Sequence, residues 1–148
     1  MEFNMSVRDT VILTGKLSIS LNGELVRETK NLVVTAGKTW IAARMKDTST
    51  VMTHMGIGTG TTAAAIGNTD LETVKGARLA LTVSGGTPVA NVITYAATFP
   101  AGAHTDAITE AGIFTAVTSG TMLARTVFTV VNKGALDSMT ISWDVTIS

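Results

Sequence analysis

The chain closes with SMTISWDVTIS, Ser138 to Ser148. Met139, Ile141, Trp143, Val145 and Ile147 alternate without interruption with Thr140, Ser142, Asp144 and Thr146. A period of two puts successive side chains on opposite faces of an extended backbone, and no helix collects these residues on one side. The segment must therefore be a strand with one apolar and one hydroxyl-rich face. Its apolar face needs a second layer to cover it, so the fold must be built from packed sheet.

Other stretches repeat the pattern. In KLSISLNGELVRE, Leu17, Ile19 and Leu21 alternate with polar residues up to Asn22-Gly23, a pair that accepts the positive φ angles of a type I′ turn. This predicts a hairpin. VKGARLALTV and VANVITYAATF flank SGGTP, and AITEAGIFTAV and TMLARTVFTVV flank TSG, which predicts two more hairpins. Threonine, valine and isoleucine dominate these runs, as suits a pleated backbone. One helix is expected at about residues 36–46, in TAGKTWIAARMKD, with Thr35 as its cap. Trp40, Ile41, Arg44 and Met45 fall along one side of it, with Trp40 and Ile41 as anchors to the sheet and Trp143 as a third core anchor. Lys38, Lys46 and Asp47 are expected in solvent. The fold class is mainly β, an antiparallel β-sandwich or barrel-like domain with one short helix. Residues 1–30 read as an N-terminal hairpin and attachment segment of the same fold, and 31–148 as the β-rich structural body.

Charge and composition narrow the function. Formal net charge is zero and 15% of residues are charged, so the basic excess that nucleic-acid binding needs is missing. Mean hydropathy is +0.36, yet no run of about 18 apolar residues suggests a membrane span. Apolar surface buried against other protein chains accounts for both. The absence of cysteine excludes thiolate chemistry and disulfides. The opening MEFNMSVRDT lacks a signal-peptide pattern and predicts a chain that folds in the cytoplasm where it is made.

The segment MTHMGIGTGTTAAAIGNTDLE raises the question of a phosphate cradle. From Gly56 it reads GIGTGT, with Thr61 where a dinucleotide fingerprint has its third glycine, and no Lys follows before Lys75. Neither phosphate motif is met. Gly56, Gly58 and Gly60 are expected to permit tight bends and close backbone approach, and Gly56, Gly58, Thr59, Gly60, Thr61 and Thr62 to form a protein-contact loop. His54, between Met52 and Met55, reads as a half-buried structural imidazole. His104, Asp106 and Glu110 are the one grouping with titratable chemistry, but their spacing matches no metal motif, and no Gly-x-Ser-x-Gly elbow is present. No catalytic residue, cofactor or metal is predicted.

The order NLVVTAGKTWIAARM, HMGIGTGTTAAAIGNTDLE, AITEAGIFTAVTSGTMLARTVF and DSMTISWDVTIS, from about Asn31 to Ser148, resembles small structural proteins of tailed-bacteriophage virions. These are capsid decoration (cement) proteins or proteins labelled tail-fibre-like. The resemblance implies a non-enzymatic β-rich protein on the outer surface of the capsid. Its partners would be the major capsid protein lattice and copies of itself, as a trimer ahead of a dimer, with no nucleic acid and no membrane. A tail-fibre, neck or baseplate-associated structural or adhesin domain is the alternative, and a small lyase or hydrolase built on His104, Asp106 and Glu110 is the enzymatic one.

Overall fold

The computed structural model describes residues 10–46 and 49–148, and it is mainly β with one helix among those residues. The elements are β1 (Leu13–Leu21), β2 (Glu24–Val33), α1 (Thr35–Met45), β3 (His54–Gly58), β4 (Leu79–Ala80), β5 (Thr87–Val89), β6 (Val92–Phe99), β7 (Asp106–Phe114), β8 (Met122–Lys133) and β9 (Met139–Ile147). The strands form one nine-stranded antiparallel sheet in the order β4-β3-β7-β8-β2-β1-β9-β6-β5. Backbone bonds from Leu81 N–H to the Thr53 carbonyl and from Thr82 N–H to the Ala96 carbonyl, each 2.8 Å, tie the margin at β3 to β6. The sheet therefore curls into a barrel-like body with its apolar face inside.

The alternation read in the sequence explains the core. β9 lies between β1 and β6, and its inward residues meet inward residues on both sides. Leu17, Trp143 and Tyr95 form one cross-strand row, Ile19, Ile141 and Ala97 the next, and Leu21, Met139 and Phe99 the third. Small Ala97 stands in the row beside Trp143 and Tyr95, so bulk in one row is matched by space in the next. On the outer face, the Thr94 hydroxyl donates to Asp144 (2.6 Å) and the Thr98 and Thr140 hydroxyls meet at 3.0 Å. Ile147 departs from the expected pattern: at the strand end it is 45% exposed, because the barrel no longer covers it there.

The Asn22-Gly23 hairpin forms with φ of 50° and 83°, and β7 and β8 pair across the TSG turn. The hairpin expected around SGGTP does not form. Leu79 and Ala80 pair with Met55 and His54 instead, and β6 takes β5 as its partner across a turn at Ala90-Asn91. Gly85 and Gly86 do bend the chain, at φ of 83° and 78°, but they carry it from one sheet margin to the other. Pro88 has no N–H to donate, which suits β5 to the end of the sheet order.

Helix α1 also differs in detail. Its N-cap is Val34, without a side-chain cap; Thr35 is the first helical residue, and its backbone N–H donates to the Ile66 carbonyl at 2.8 Å. Trp40 and Ile41 pack against the main core as expected, and Trp40 Nε1 donates to the Thr50 carbonyl at 2.6 Å. Met45 is 88% exposed, one position beyond the face that meets the sheet. Lys38 and Lys46 are exposed. The reading of Asp47 and of residues 1–9 falls outside the described residues. The closest helix approach is at Gly37, where a Cβ would overlap the backbone of Leu123. Glycine disfavours a helix interior, and here it is what lets α1 lie on β8.

Two outcomes follow from this core. Trp143 is wholly buried, and Trp143→Ala is expected to lower the unfolding free energy by about 3–5 kcal/mol in denaturant titrations. Ile147→Ala is expected to change it far less. Tyr95, the chain's one tyrosine, is buried beside Trp143, and burial pushes its phenol up from 10.0 to about 12. The unfolded chain therefore loses this proton first, and stability is fully present below pH 10 and declines as pH rises towards 12. Tyrosinate absorbance, which reports on this residue alone, is expected to titrate near 12 in the folded protein and near 10 in denaturant.

Candidate functional site: a loop built around a buried carboxylate

The glycine-rich segment encloses an anion, and the anion belongs to the protein. Glu110 lies mid-strand in β7 and is completely buried. Its Oε1 accepts from the backbone N–H groups of Gly60 (3.0 Å) and Thr73 (2.7 Å), and its Oε2 from Glu72 N–H (3.0 Å). Arg125 of the neighbouring strand β8 is 1% exposed and donates to Oε2 through Nε (3.0 Å) and Nη2 (2.8 Å). The remaining nitrogen, Nη1, donates to Asn68 Oδ1 at 3.1 Å, and the same oxygen accepts from Ala65 N–H at 2.8 Å. The Thr109 hydroxyl donates to the Gly60 carbonyl at 2.7 Å. The chain from Thr59 to Val74 is thus fastened at both ends and in its middle.

This arrangement gives the glycines specific work. Gly56 and Gly58 lie inside β3, opposite Gly112 and Glu110 of β7. A Cβ on Gly58 would overlap the Thr73 carbonyl oxygen and stand 2.5 Å from Glu110 Oε1. On Gly60 it would stand 2.6 Å from the same oxygen and 2.7 Å from Glu72 Cβ. Only hydrogen at these positions lets the backbone reach the carboxylate. Gly67 has nothing within 4 Å of its Cβ position.

As a contact surface, the expected set therefore divides. Gly56, Gly58 and Gly60 are buried and offer nothing to a partner, Thr59 is half-buried, and Thr61 and Thr62 are exposed. The exposed face continues through Ala63, Ala65, Ile66 and Gly67, with Ile66 60% exposed. A hydrogen bond from the Thr62 side chain, ahead of the backbone N–H groups of Thr61 and Thr62 and the charge of Arg125, holds the Glu72 carboxyl below the ordinary glutamate range. Beside the loop, Arg78 lies 3.4 Å over the Phe114 ring and donates to the Ala116 and Ser119 carbonyls (2.9 and 2.7 Å) and to Asp70 (3.2 Å).

The titratable grouping is not assembled. His104 Nε2 is 2.7 Å from the Ala77 carbonyl, and its ring stands edge-on to Phe99. Asp106 pairs with Lys75 at 3.2 Å; a hydrogen bond from Ala107 N–H, then Lys75, holds its carboxyl below the usual range. Glu110 has its oxygens filled by five donors and no route to a substrate. A general base needs a free lone pair within reach of the reacting proton, which Glu110 does not have. His54, half-buried in β3, has Nδ1 2.7 Å from the Thr53 hydroxyl. Among the described residues no cluster of three or more His, Asp or Glu side chains could hold a metal ion, and no helix is long and apolar enough to cross a membrane.

Arg125 is the residue that the sequence reading missed. Its signal was a lone cation in the apolar run MLARTVF, on a strand paired with the one that carries the lone anion of AITEAGIF. No family model, curated protein or solved structure matches the chain.

Removing one partner of a buried ion pair leaves the other uncompensated, so Arg125→Met is expected to destabilise by about 3–5 kcal/mol. Gly58→Ala is expected to cost about 1–3 kcal/mol through overpacking against backbone, while Gly67→Ala leaves the unfolding midpoint unchanged. Equal effects at the two glycines would mean that the loop is not fastened as described.

Proposed function

We propose that this chain is a virion structural protein, most specifically a capsid decoration protein that binds an assembled shell and stabilises it. The observation that carries this reading is the loop. Its outer face from Thr61 to Gly67 is small, neutral and exposed, and it is held in one conformation by a carboxylate and an arginine beneath it. A surface ordered before contact loses little conformational freedom on docking, so even small side chains yield net affinity. The sequence resemblance supplies the lattice as the partner. The low charge and high mean hydropathy suit a protein that works against other protein surfaces.

The mechanism is linkage. A subunit that binds the assembled shell and not its dissociated parts shifts the equilibrium towards the shell, by about 2.7 kcal/mol per site when its free concentration is a hundred times its Kd. Repeated over a lattice, that resists internal pressure without any chemical step. Copies on neighbouring sites would reinforce one another wherever they touch.

The test is to add the purified chain to undecorated heads of the encoding virus, measuring co-sedimentation and the temperature at which the heads open. Saturable binding and a raised opening temperature are expected. Ile66→Asp is expected to weaken binding about tenfold or more, about 1.4 kcal/mol, with the fold unchanged, since the Ile66 side chain is 60% exposed and the carbonyl that Thr35 N–H uses is kept. Microscopy of labelled virions that places the chain at the tail, neck or baseplate would transfer the proposal to that structure. Absence from virions would overturn it.

A further inference from the structure

Strand β2 changes partners along its length. Its residues from Glu24 to Asn31 pair with β1, while Leu32 and Val33 pair with Arg125 and Ala124 of β8. β1 loses β2 beyond Gly15 and, among the described residues, runs on to Ile12 bonded only on its β9 side. A fork opens between the two strands, a cleft of about 460 Å³ whose lining mixes aliphatic Val11, Leu13, Leu32 and Ile41 with polar Asn31 and Lys38.

The cleft has the features of a place for one more strand. Ile12 exchanges both backbone bonds with Ser148, each 2.9 Å. In an antiparallel ladder the neighbouring residues then point their N–H and C=O groups the other way. For Val11 and Leu13 that is into the fork, where neither has a partner among the described residues. At the apex, the Asn31 side chain covers Gly15, and both its amide nitrogen and its oxygen are buried without a hydrogen-bond partner. Val11 and Ile12, 69% and 53% exposed, leave the rim apolar. On the other side of β2 the divergence is bridged: the Thr126 hydroxyl donates to the Lys30 carbonyl (2.8 Å) and Arg27 Nη2 to the Val130 carbonyl (3.3 Å).

We infer that this fork is a strand-acceptor site, and that its occupant is the segment Met1 to Val7 of a second copy of the chain. The sequence preceding Thr10 reads MEFNMSVRD, in which Met1, Phe3, Met5 and Val7 alternate with Glu2, Asn4, Ser6 and Arg8. That alternation is what a strand needs to turn one face to the aliphatic side chains of the cleft while its backbone bonds the open edge of β1. The segment leads directly to the rim at Val11. Folding back into its own fork would require a reversal within Arg8-Asp9-Thr10, which without a glycine would put a residue with a side chain at positive φ, as Ala90 is at 51° between β5 and β6. Insertion into a neighbouring copy needs no such turn. Reciprocal exchange closes a dimer and cyclic exchange a trimer.

The experiment uses the absence of cysteine. Two preparations of the full chain, one carrying Met5→Cys and the other Leu32→Cys, are mixed and treated with a short bis-maleimide. A cross-linked heterodimer that forms in the mixture and is suppressed by a synthetic peptide of sequence MEFNMSVRD is expected. Phe3→Asp with Met5→Asp is expected to reduce the solution mass to that of one chain, with circular dichroism unchanged. An oligomer untouched by that double change, or a mixture without heterodimer, would overturn the inference. So would a chain carrying both cysteines that cross-links only within itself. These readings are made without shells, so they stand or fall separately from shell binding.

Discussion

The Glu110 carboxylate is the point on which the arrangement of this protein's surface depends. It is wholly buried, and three backbone N–H groups from Gly60, Glu72 and Thr73 converge on it with the Arg125 guanidinium. Replacing such a pair with apolar residues is often neutral or favourable for stability, so stability is a weak reason for it. What it provides is specification. Apolar burial in this long segment is confined to Leu71, which packs with Val34, Phe114 and Met122, because alanine, threonine and glycine have little to bury. Donors fixed to a charged acceptor order it instead. The inner charge thereby determines the shape of a neutral outer surface.

The same logic of close backbone approach recurs at α1. Gly37 brings the helix onto the Leu123 backbone, and the N–H of Thr35 bonds to the Ile66 carbonyl, so helix and loop are joined. β8 is the common support: it carries Leu123 under the helix and Arg125 under the loop, two residues apart on one strand. A shift of β8 by one register position would turn Arg125 outward and break the helix seat together with the loop anchor. The elements are therefore coupled through one strand, which is why a rigid loop can stand on a barrel-like body whose other connections are short.

Much of this was legible in the sequence, for local reasons. The alternation through Trp143, the Asn22-Gly23 turn, the TSG hairpin and the helix near residues 36–46 each depend on neighbouring residues alone. The glycine loop was read as a contact surface, but its glycines Gly56, Gly58 and Gly60 lie beneath that surface. That error has a physical source. Whether a glycine faces solvent or a neighbour depends on what the rest of the chain brings to it, and Glu110 is 50 residues away from Gly60. SGGTP misled for a related reason: its glycines do turn the chain, but turn residues do not say which strand waits beyond the turn. The pairing of Leu79 with Met55, rather than with β6, is decided by the curled sheet as a whole.

That closure also explains why β2 has to change partners. Here the two halves of the curled sheet diverge along β2, and a strand that serves both halves leaves a gap on each side. One gap is crossed by side chains from β2 and β8. The other keeps an unmatched amide at Asn31 and, among the described residues, unmatched backbone groups on β1. Buried polar groups without partners are disfavoured in a finished structure. A fold that leaves Asn31 unmatched beside an open strand edge, while satisfying a single buried carboxylate with five donors, is complete at its loop and open at its fork. The two features suit different contacts: a preformed surface for a foreign lattice, and an open backbone edge for a strand of the protein's own kind.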